Sequence, residues 1–405
     1  DILLKLKGIK YGYLIFGNKN KFDYPMSVKL PYVIRKIADV LAISKVNNTK
    51  TKNLAIIKLD AIGDYVLFHN FLEILRKSEK YNEYKIILIG NLAWKDIFDN
   101  FDKVFVDDAF FINKNQFSKN LSYRYKTLKI LNKFNIETSI VPVLSRDFLF
   151  YDTIVCNFQS DENISFDSNL SNMTREEKNI SNRFYTKIIK SDPVTKFEFE
   201  RNKEFFEKLL DTKIDLQKPG FNKDLIKNDF KLDVSDYAVI FPGASEKNKI
   251  WDYKNFYETG KYLNETYNFD IVICGGREDR EYSEKIMELS NNKFTDLTGK
   301  TTLTDMVSIL SNAKILVSND TSSVHFGASC NTKTVFMLNG RHFGRFAPYP
   351  ENISQNIISL YPPEIVEIDK NFIEFSKKYE HFSNLDINSI TVKTVKESID
   401  KLLKT

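Results

Sequence analysis

Short apolar runs and amphipathic stretches alternate in two series along the chain. The first series begins at residues 54–59, Leu-Ala-Ile-Ile-Lys-Leu, a run apolar enough for a buried parallel strand. Asp60-Ala-Ile-Gly-Asp64 follows as a turn, and 65–77 has helical spacing through Val66, Phe71, Leu72 and Leu75. Residues 85–90 are the next strand, which completes a βαβ unit with a right-handed crossover. Weaker alternation continues through 103–106, a basic helix at 119–134, then 138–143 and 153–158. Residues 160–195 are polar, rich in Asn and Ser, and read as loops with a short helix; 201–210 is helical.

The second series starts at Tyr237. Strands are expected at 237–241, 270–274, 294–297, 315–318 and 334–338, and helices at 253–264, 280–289, 302–312 and 322–330. Pro219 and Gly220 mark 217–231 as a linker. Ahead of the first series, 28–43 reads as an amphipathic helix with Val33, Ile37, Val40 and Leu41 on one side and Lys29, Arg35 and Lys36 elsewhere, and 47–53 as a connector. A last helix covers 389–404. The expected class is α/β, with two Rossmann-like doubly wound domains facing a central cleft. The expected division is 1–50 a basic extension, 51–216 and 232–385 the two domains, 217–231 the linker, and 386–405 a C-terminal helix.

Composition narrows this picture. The 405 residues leave room for two to three domains, and 42% hydrophobic with 28% charged residues excludes a disordered or collagen-like chain. Cys156, Cys274 and Cys330 are too few and too scattered for a disulfide framework, and with four histidines no Cys/His cluster suggests a metal. No run of about 18 apolar residues is present, nor the order of a signal peptide, so a cytoplasmic protein is expected. The first residue is Asp rather than Met, which reads as a processed or trimmed start.

A net charge of +5 is too small for a dedicated nucleic-acid binder, and its distribution says more. Residues 1–36 and 110–135 each carry +6, leaving −7 for the rest. The second segment has six cations, no acid, and interleaved Phe117, Tyr123, Tyr125, Leu128 and Leu131. It fits a solvated helix face, or a surface for anionic lipid headgroups or a phosphorylated glycan.

Three turns of the second series follow strands on one sheet edge. Asn319-Asp-Thr-Ser-Ser-Val-His325 opens a helix, where free N–H groups and the positive helix end suit a phosphate. Thr321, Ser322 and Ser323 add hydroxyls, His325 lies one turn in, and plain capping by Asp320 or Thr321 is the alternative. Pro242-Gly-Ala-Ser245 allows a ligand close, with Lys249 as a point charge for phosphate or an ordinary surface lysine. Gly275-Gly-Arg-Glu278-Asp279 lacks the dinucleotide spacing, and an acid here is either a ribose or base acceptor or a helix-end acid. In the first series, Gly63 permits an unusual backbone angle and Asp64 stands at a helix start, as an N-cap or as a base facing the crevice.

Taken in order, these blocks resemble glycosyltransferase family 9, the ADP-heptose:lipopolysaccharide heptosyltransferases. The resemblance rests on Leu54 to Leu67, Phe241-Pro-Gly-Ala-Ser245 with Lys249 and Trp251, Cys274-Gly-Gly-Arg-Glu278, Asp296 to Leu303, and Val317-Ser-Asn-Asp-Thr321 with His325. It implies a GT-B fold and an inverting, metal-independent transfer from a nucleotide sugar, most simply ADP-heptose, with no further cofactor. It implies Asp64 as general base, Lys249 and the Asp320-Thr321 turn on the diphosphate, and Glu278 near the adenosine. Three departures stand out. Asp60 occupies a position usually Ser or Thr, Ser322-Ser323 replaces Gly-Pro, and Gly340-Arg341-His342-Phe-Gly-Arg345 replaces a loop beginning Gly-Pro-Thr. Asp60 would then raise the Asp64 pKa or contact the acceptor, and Arg341, His342 and Arg345 would line the cleft.

The expected partners are a nucleotide sugar and an anionic glycan or glycolipid acceptor, with peripheral contact to the cytoplasmic membrane face. Rival readings are a same-fold transferase with another donor on a capsule or protein acceptor, and a non-catalytic sugar-nucleotide-binding subunit.

Overall fold

The computed structural model describes residues 13–16, 20–23, 30–43, 51–226, 230, 232, 234 and 236–404. Most of the expected basic extension at 1–50, and part of the 217–231 linker, lie outside the described residues. A short antiparallel pair, β1 (Tyr13–Phe16) and β2 (Asn20–Asp23), precedes α1 (Leu30–Ala42).

The first sheet is all parallel, in the order β5-β4-β3-β6-β7-β8. Its strands are β3 (Asn53–Lys58), β4 (Lys85–Asn91), β5 (Asp108–Ile112), β6 (Thr138–Val141), β7 (Glu162–Phe166) and β8 (Lys187–Ile189). Alternate residues serve its two faces, as strand geometry requires. Leu54, Ile56, Ile86 and Leu88 pack under α2 (Ile62–Val66), α3 (Asn70–Lys77) and, further along the chain, α8 (Glu198–Leu210). Ala55, Ile57, Ile87 and Ile89 pack under α4 (Lys114–Lys119), α5 (Leu121–Leu131) and α6 (Tyr151–Phe158), with Ala42 of α1 beside them. A shorter helix, α7 (Arg175–Ser181), begins with a capping box between Thr174 and Glu177.

The second sheet repeats the plan in the order β11-β10-β9-β12-β13-β14. It is built from β9 (Tyr237–Phe241), β10 (Asp270–Ile273), β11 (Thr295–Asp296), β12 (Ile315–Asn319), β13 (Thr334–Met337) and β14 (Ile357–Leu360). Helices α9 (Tyr253–Tyr267), α10 (Arg280–Leu289) and the terminal α14 (Val392–Leu403) cover one face. Helices α11 (Leu303–Asn312) and α12 (Ser322–Cys330) cover the other, and α13 (Ile368–Lys378) packs on the loop after β13.

Several expectations need correcting. Residues 103–105 are a 3-10 turn, and the strand falls at 108–112, running into the start of the basic segment. The stretch 153–158 lies in a helix. Residues 160–195 hold two strands, β7 and β8, whose short polar runs (Glu-Asn-Ile-Ser-Phe and Lys-Ile-Ile) carry too little apolar signal to read. The 65–77 helix is broken at 67–69 into α2 and α3. The C-terminal helix packs on the second domain, where Val395, Ile399 and Leu402 lie in the core of the second sheet. Lys36 is fully buried beside Asp39 and Thr153 rather than on a polar face, and Leu41 is exposed.

The two halves meet through α2 and α12. Gly63 is the point of closest approach: a Cβ there would stand 2.7 Å from His325 Cδ2. The glycine is needed for that contact, since its backbone is ordinary helix rather than the unusual angle expected from sequence. Asp96 also crosses over, accepting from the N–H and hydroxyl of Thr304 at 2.7 and 2.8 Å at the start of α11. At the back, Asn70 of α3 holds Gly220 of the linker by a pair of hydrogen bonds.

Candidate active site

A cavity of about 430 Å³ opens between the carboxyl edges of the two sheets. Ala61 to Asp64 form one wall, and Ser245, Lys249, Gly276, Glu278, 320–323 and His325 form the other.

On the second-sheet wall, α12 begins with Thr321 in extended conformation and no side-chain cap. Asp320 does not cap it either, because its carboxylate is 2.7 Å from Lys249 Nζ. Among the described residues neither the Thr321 nor the Ser322 hydroxyl has a hydrogen-bond partner, so the N-terminal N–H groups, two hydroxyls and a lysine converge on the cavity. An anion fits this arrangement. Asn319, fully buried, ties the block together: its amide donates to the Pro242 carbonyl at 2.7 Å and accepts from the Trp251 N–H at 3.0 Å. Asp279 does the same for the neighbouring turn, accepting from the Gly276 N–H at 2.8 Å beneath Gly243, where a Cβ would strike its carboxylate. Burial raises the Asp279 pKa above the usual value.

The first-sheet wall is crowded with charge. Lys58, fully buried, lies 2.8 Å from Asp60, which also accepts from the Tyr151 hydroxyl at 2.7 Å. Burial opposes the charge on Asp60, but Lys58 and Tyr151 outweigh it and hold its pKa below the usual carboxylate value. Asp64 has no partner so close among the described residues. Burial, then the Asp60 and Glu198 carboxylates, push its pKa up to about 7, restrained by Arg345 and Lys58. Arg345 reaches over from the second half: its Nε donates to Glu198 at 2.8 Å, Nη1 donates to Ser145 at 3.0 Å, and Nη2 stands 3.9 Å from Asp64. Its carbonyl accepts from the Glu198 N–H at 2.8 Å, so loop and helix start are held twice. Past Arg345 lies a second cavity of about 270 Å³, lined by Ser168, Asn169, Asp192, Glu198 and His342 among others.

A sequence profile described as glycosyltransferase family 9 (heptosyltransferase) matches residues 170–371. The chain belongs to glycosyltransferase family 9. The lipopolysaccharide core heptosyltransferase OpsX of Haemophilus influenzae is 26% identical over 125 residues, 30% of this chain. That match spans about a third (35%) of the relative's own length. Among solved structures, a family 9 glycosyltransferase from Veillonella parvula aligns with TM-score 0.67 at 18% identity, over 89% of this chain and 99% of that one. The Escherichia coli heptosyltransferase WaaC, solved with ADP-2-deoxy-2-fluoro heptose, aligns with TM-score 0.63 at 16% identity over 86% and 99%. These likenesses identify the two sheets as a GT-B fold.

Within this family 9 chain, the residues singled out from sequence separate into two groups. Gly63, Asp64, Ser245, Lys249, Glu278, Asp320, Thr321, Ser322, His325 and His342 all line the cavity. Asp60 lies just behind Asp64, and Arg345 closes the side. Ser323 lines the cavity too, but the role given to its hydroxyl is a correction: that hydroxyl is buried against that of Ser318 at 2.6 Å, leaving only its backbone for a ligand. Arg341 is another, since its guanidinium pairs with Glu246 and donates to the His381 carbonyl, away from the cavity. His325, hydrogen-bonded to the Tyr349 hydroxyl, has its pKa pushed down to about 4 by burial, and His342 likewise to about 4 by burial and then Arg345. Both are neutral at pH 7.

Sequence reasoning missed Glu198, Tyr151 and Lys58, and Asp279, quoted with its turn, proves to hold that turn together. Asn319 and Lys58 stood inside quoted motifs, and their buried polar character was the available signal. Glu198 lies 147 residues from Arg345, and no local pattern joins them.

Proposed function

We propose that this protein is an inverting, metal-independent glycosyltransferase that moves heptose from ADP-heptose to a hydroxyl of a lipopolysaccharide or other cell-surface glycan precursor in the cytoplasm. The observation that carries the reading is Asp64: a carboxyl poised near neutrality, facing an anion-binding helix start across one cavity. In this reading Lys249, oriented by Asp320, and the N-terminus of α12 receive the donor diphosphate, with Thr321, Ser322 and Ser245 at its rim. Glu278 accepts from the nucleoside. His325 and His342, neutral, contribute hydrogen bonds without adding charge. As the acceptor hydroxyl attacks the anomeric carbon, Asp64 takes its proton and the nucleoside diphosphate leaves from the opposite face, inverting the centre. Positive charge from Lys249 and the helix end offsets the charge that builds on the leaving phosphate.

The acceptor is assigned to the second cavity, beyond Arg345. The cations there are paired: Lys178 with Asp167 at 2.9 Å, Lys196 with Asp192 at 3.0 Å, Arg201 with Glu204 at 2.7 Å and Arg345 with Glu198. Sugar hydroxyls therefore suit this pocket better than the acceptor's phosphates or carboxylates. Support for the heptose donor comes from the relatives: OpsX is named a heptosyltransferase, and WaaC was solved with an ADP-heptose analogue. The test is a thermal-shift comparison of ADP-heptose with UDP- and GDP-sugars, followed by detection of transfer to a lipopolysaccharide-precursor extract. Stabilisation by ADP-heptose and formation of a heptosylated product support the reading. Preference for a UDP- or GDP-sugar, or no transfer, sinks it.

A further inference from the structure

One residue stands where the two cavities of the cleft meet. Among the described residues, His342 alone lines both the cavity that holds Asp64 and Lys249 and the one beyond Arg345. It sits in the loop 340–345, at a φ of 60° that a residue other than glycine seldom adopts. Strain of that kind persists where the surroundings fix it, and three bonds do so here. The His342 N–H donates to the Tyr379 carbonyl at 2.8 Å, and its carbonyl accepts from the Arg345 N–H at 3.0 Å. The third bond joins Nδ1 to the Glu380 carbonyl at 2.7 Å. A carbonyl can only accept, so Nδ1 carries the hydrogen. The ring is neutral, because burial and then the charge of Arg345 hold its pKa down to about 4, with Lys249 and Arg341 adding to the effect. Nε2 therefore offers a lone pair, and among the described residues no donor meets it. His325 differs on both counts. Its Nδ1 meets the Tyr349 hydroxyl, which can give or take a hydrogen, and its ring is packed against Gly63 in the seam.

We propose that His342 is a specificity-determining residue of the transfer: its Nε2 accepts a hydrogen bond from a hydroxyl of the sugar in transit. The inference rests on the reading that a nucleotide sugar binds in the cleft, and not on which one. In that reading the sugar hangs from the phosphate received by Lys249 and the start of α12. Its anomeric carbon must come within reach of the hydroxyl that Asp64 activates. The sugar therefore lies between the donor cavity and the acceptor cavity, which is where His342 stands. Lys249, close enough to act on the imidazole, puts the ring near the phosphate end of the donor. Phosphate oxygens carry no hydrogen to give a lone pair, so the partner is a hydroxyl. An acceptor fixed in one tautomer reads the presence of that hydroxyl, because a sugar lacking it leaves Nε2 unpaired in a site closed to water. The imidazole is a weaker base than Asp64, so the proton of the reaction still goes to Asp64.

Calorimetry on the full chain tests the assignment. The probe is the nucleotide sugar, among ADP-heptose and UDP- and GDP-sugars, that stabilises the protein most, measured beside its own nucleoside diphosphate. His342→Phe keeps an aromatic ring against Phe346 and removes the acceptor. It should weaken the nucleotide sugar about tenfold, the scale of one hydrogen bond left unmade, and leave the diphosphate within about twofold. His342→Gln, whose amide oxygen reaches about as far as Nε2, should restore most of the loss. In a series of analogues each lacking one hydroxyl, one member should bind the wild type about tenfold more weakly and lose nothing further in His342→Phe. Where Phe at this backbone angle lowers the melting temperature, His342→Gly, which suits the angle, takes its place with the same expectation. Equal losses for sugar and diphosphate would make His342 a structural residue and overturn the proposal. So would a raised acceptor KM with donor affinity unchanged, or a series in which the variant loses equally with every analogue. A UDP- or GDP-sugar winning the screen overturns the heptose donor alone, and the same comparison made with that sugar decides on His342. No binding by any nucleotide sugar ends both readings.

Discussion

The two walls of the cleft hold charge in opposite ways. On the second-sheet wall, Lys249 is matched by Asp320 one to one and the two histidines are neutral, so the part of the wall around Lys249 is balanced before any ligand arrives. On the first-sheet wall, three carboxylates (Asp60, Asp64 and Glu198) share two cations, Lys58 and Arg345. Asp60 takes Lys58, Glu198 takes Arg345, and Asp64 is left over. The leftover carboxylate is the one whose pKa rises to about 7. A balanced wall suits holding a ligand, and an odd carboxylate suits moving a proton.

The contrast breaks most sharply at Asp64. Asp64→Asn should lower turnover by roughly a thousandfold, the scale of a lost general base, with the donor dissociation constant in calorimetry little changed. Near-normal turnover would end the base assignment. The same variant should melt higher than wild type at pH 8. A carboxyl whose folded pKa lies above its unfolded value ionises at a cost in the folded state as pH rises through 7, and the amide escapes that cost. On the balanced wall, Lys249→Met should weaken donor binding about 10- to 100-fold, as for a lost charged hydrogen bond. Unchanged affinity in calorimetry would remove Lys249 from the phosphate site.

Arg345→Met sharpens the comparison by taking one of the two shared cations away. The rising limb of the pH–rate profile should move to higher pH, since Arg345 restrains the Asp64 pKa. For a shift of about one unit, activity at pH 7 falls roughly fivefold and recovers toward pH 9, while Arg345→Lys restores the profile. A limb that stays in place would show that the guanidinium does not act on the base. Gly63→Ala tests the seam between the walls. The added methyl meets His325 and the Ser322 backbone, and overpacking of this kind costs about 1–3 kcal/mol, read as a lower melting temperature. Arg341→Ala should change donor affinity least, within about twofold, because its charge is spent on an exposed Glu246 pair.

The second half of the chain was the more legible one. Its strands are short apolar runs and its helices run from clear starts, so β9, β10, β12 and α10 fall within a residue or so of expectation. Site residues there sit on consecutive βα turns, which local pattern can reveal. In the first half, β7 and β8 carry Asn, Ser and Lys, and packing against α8 rather than their own composition makes them strands. Arg124 and Lys36 read as surface cations and are buried, because Asp39 and Thr153 supply partners from distant positions. Gly63 was recognised as special for the wrong reason: a close neighbour, not a torsion angle, demands it.

Asn319 has a consequence for how a ligand arrives. By bonding to both Pro242 and Trp251 it joins the two turns that carry Lys249 and Asp320 into one rigid piece. A site already in its binding shape loses little entropy of loop ordering when it is filled. Capture of the nucleotide is then limited by encounter and orientation, not by folding of the site around it, and its rate should respond to solvent viscosity more than to temperature-driven loop ordering.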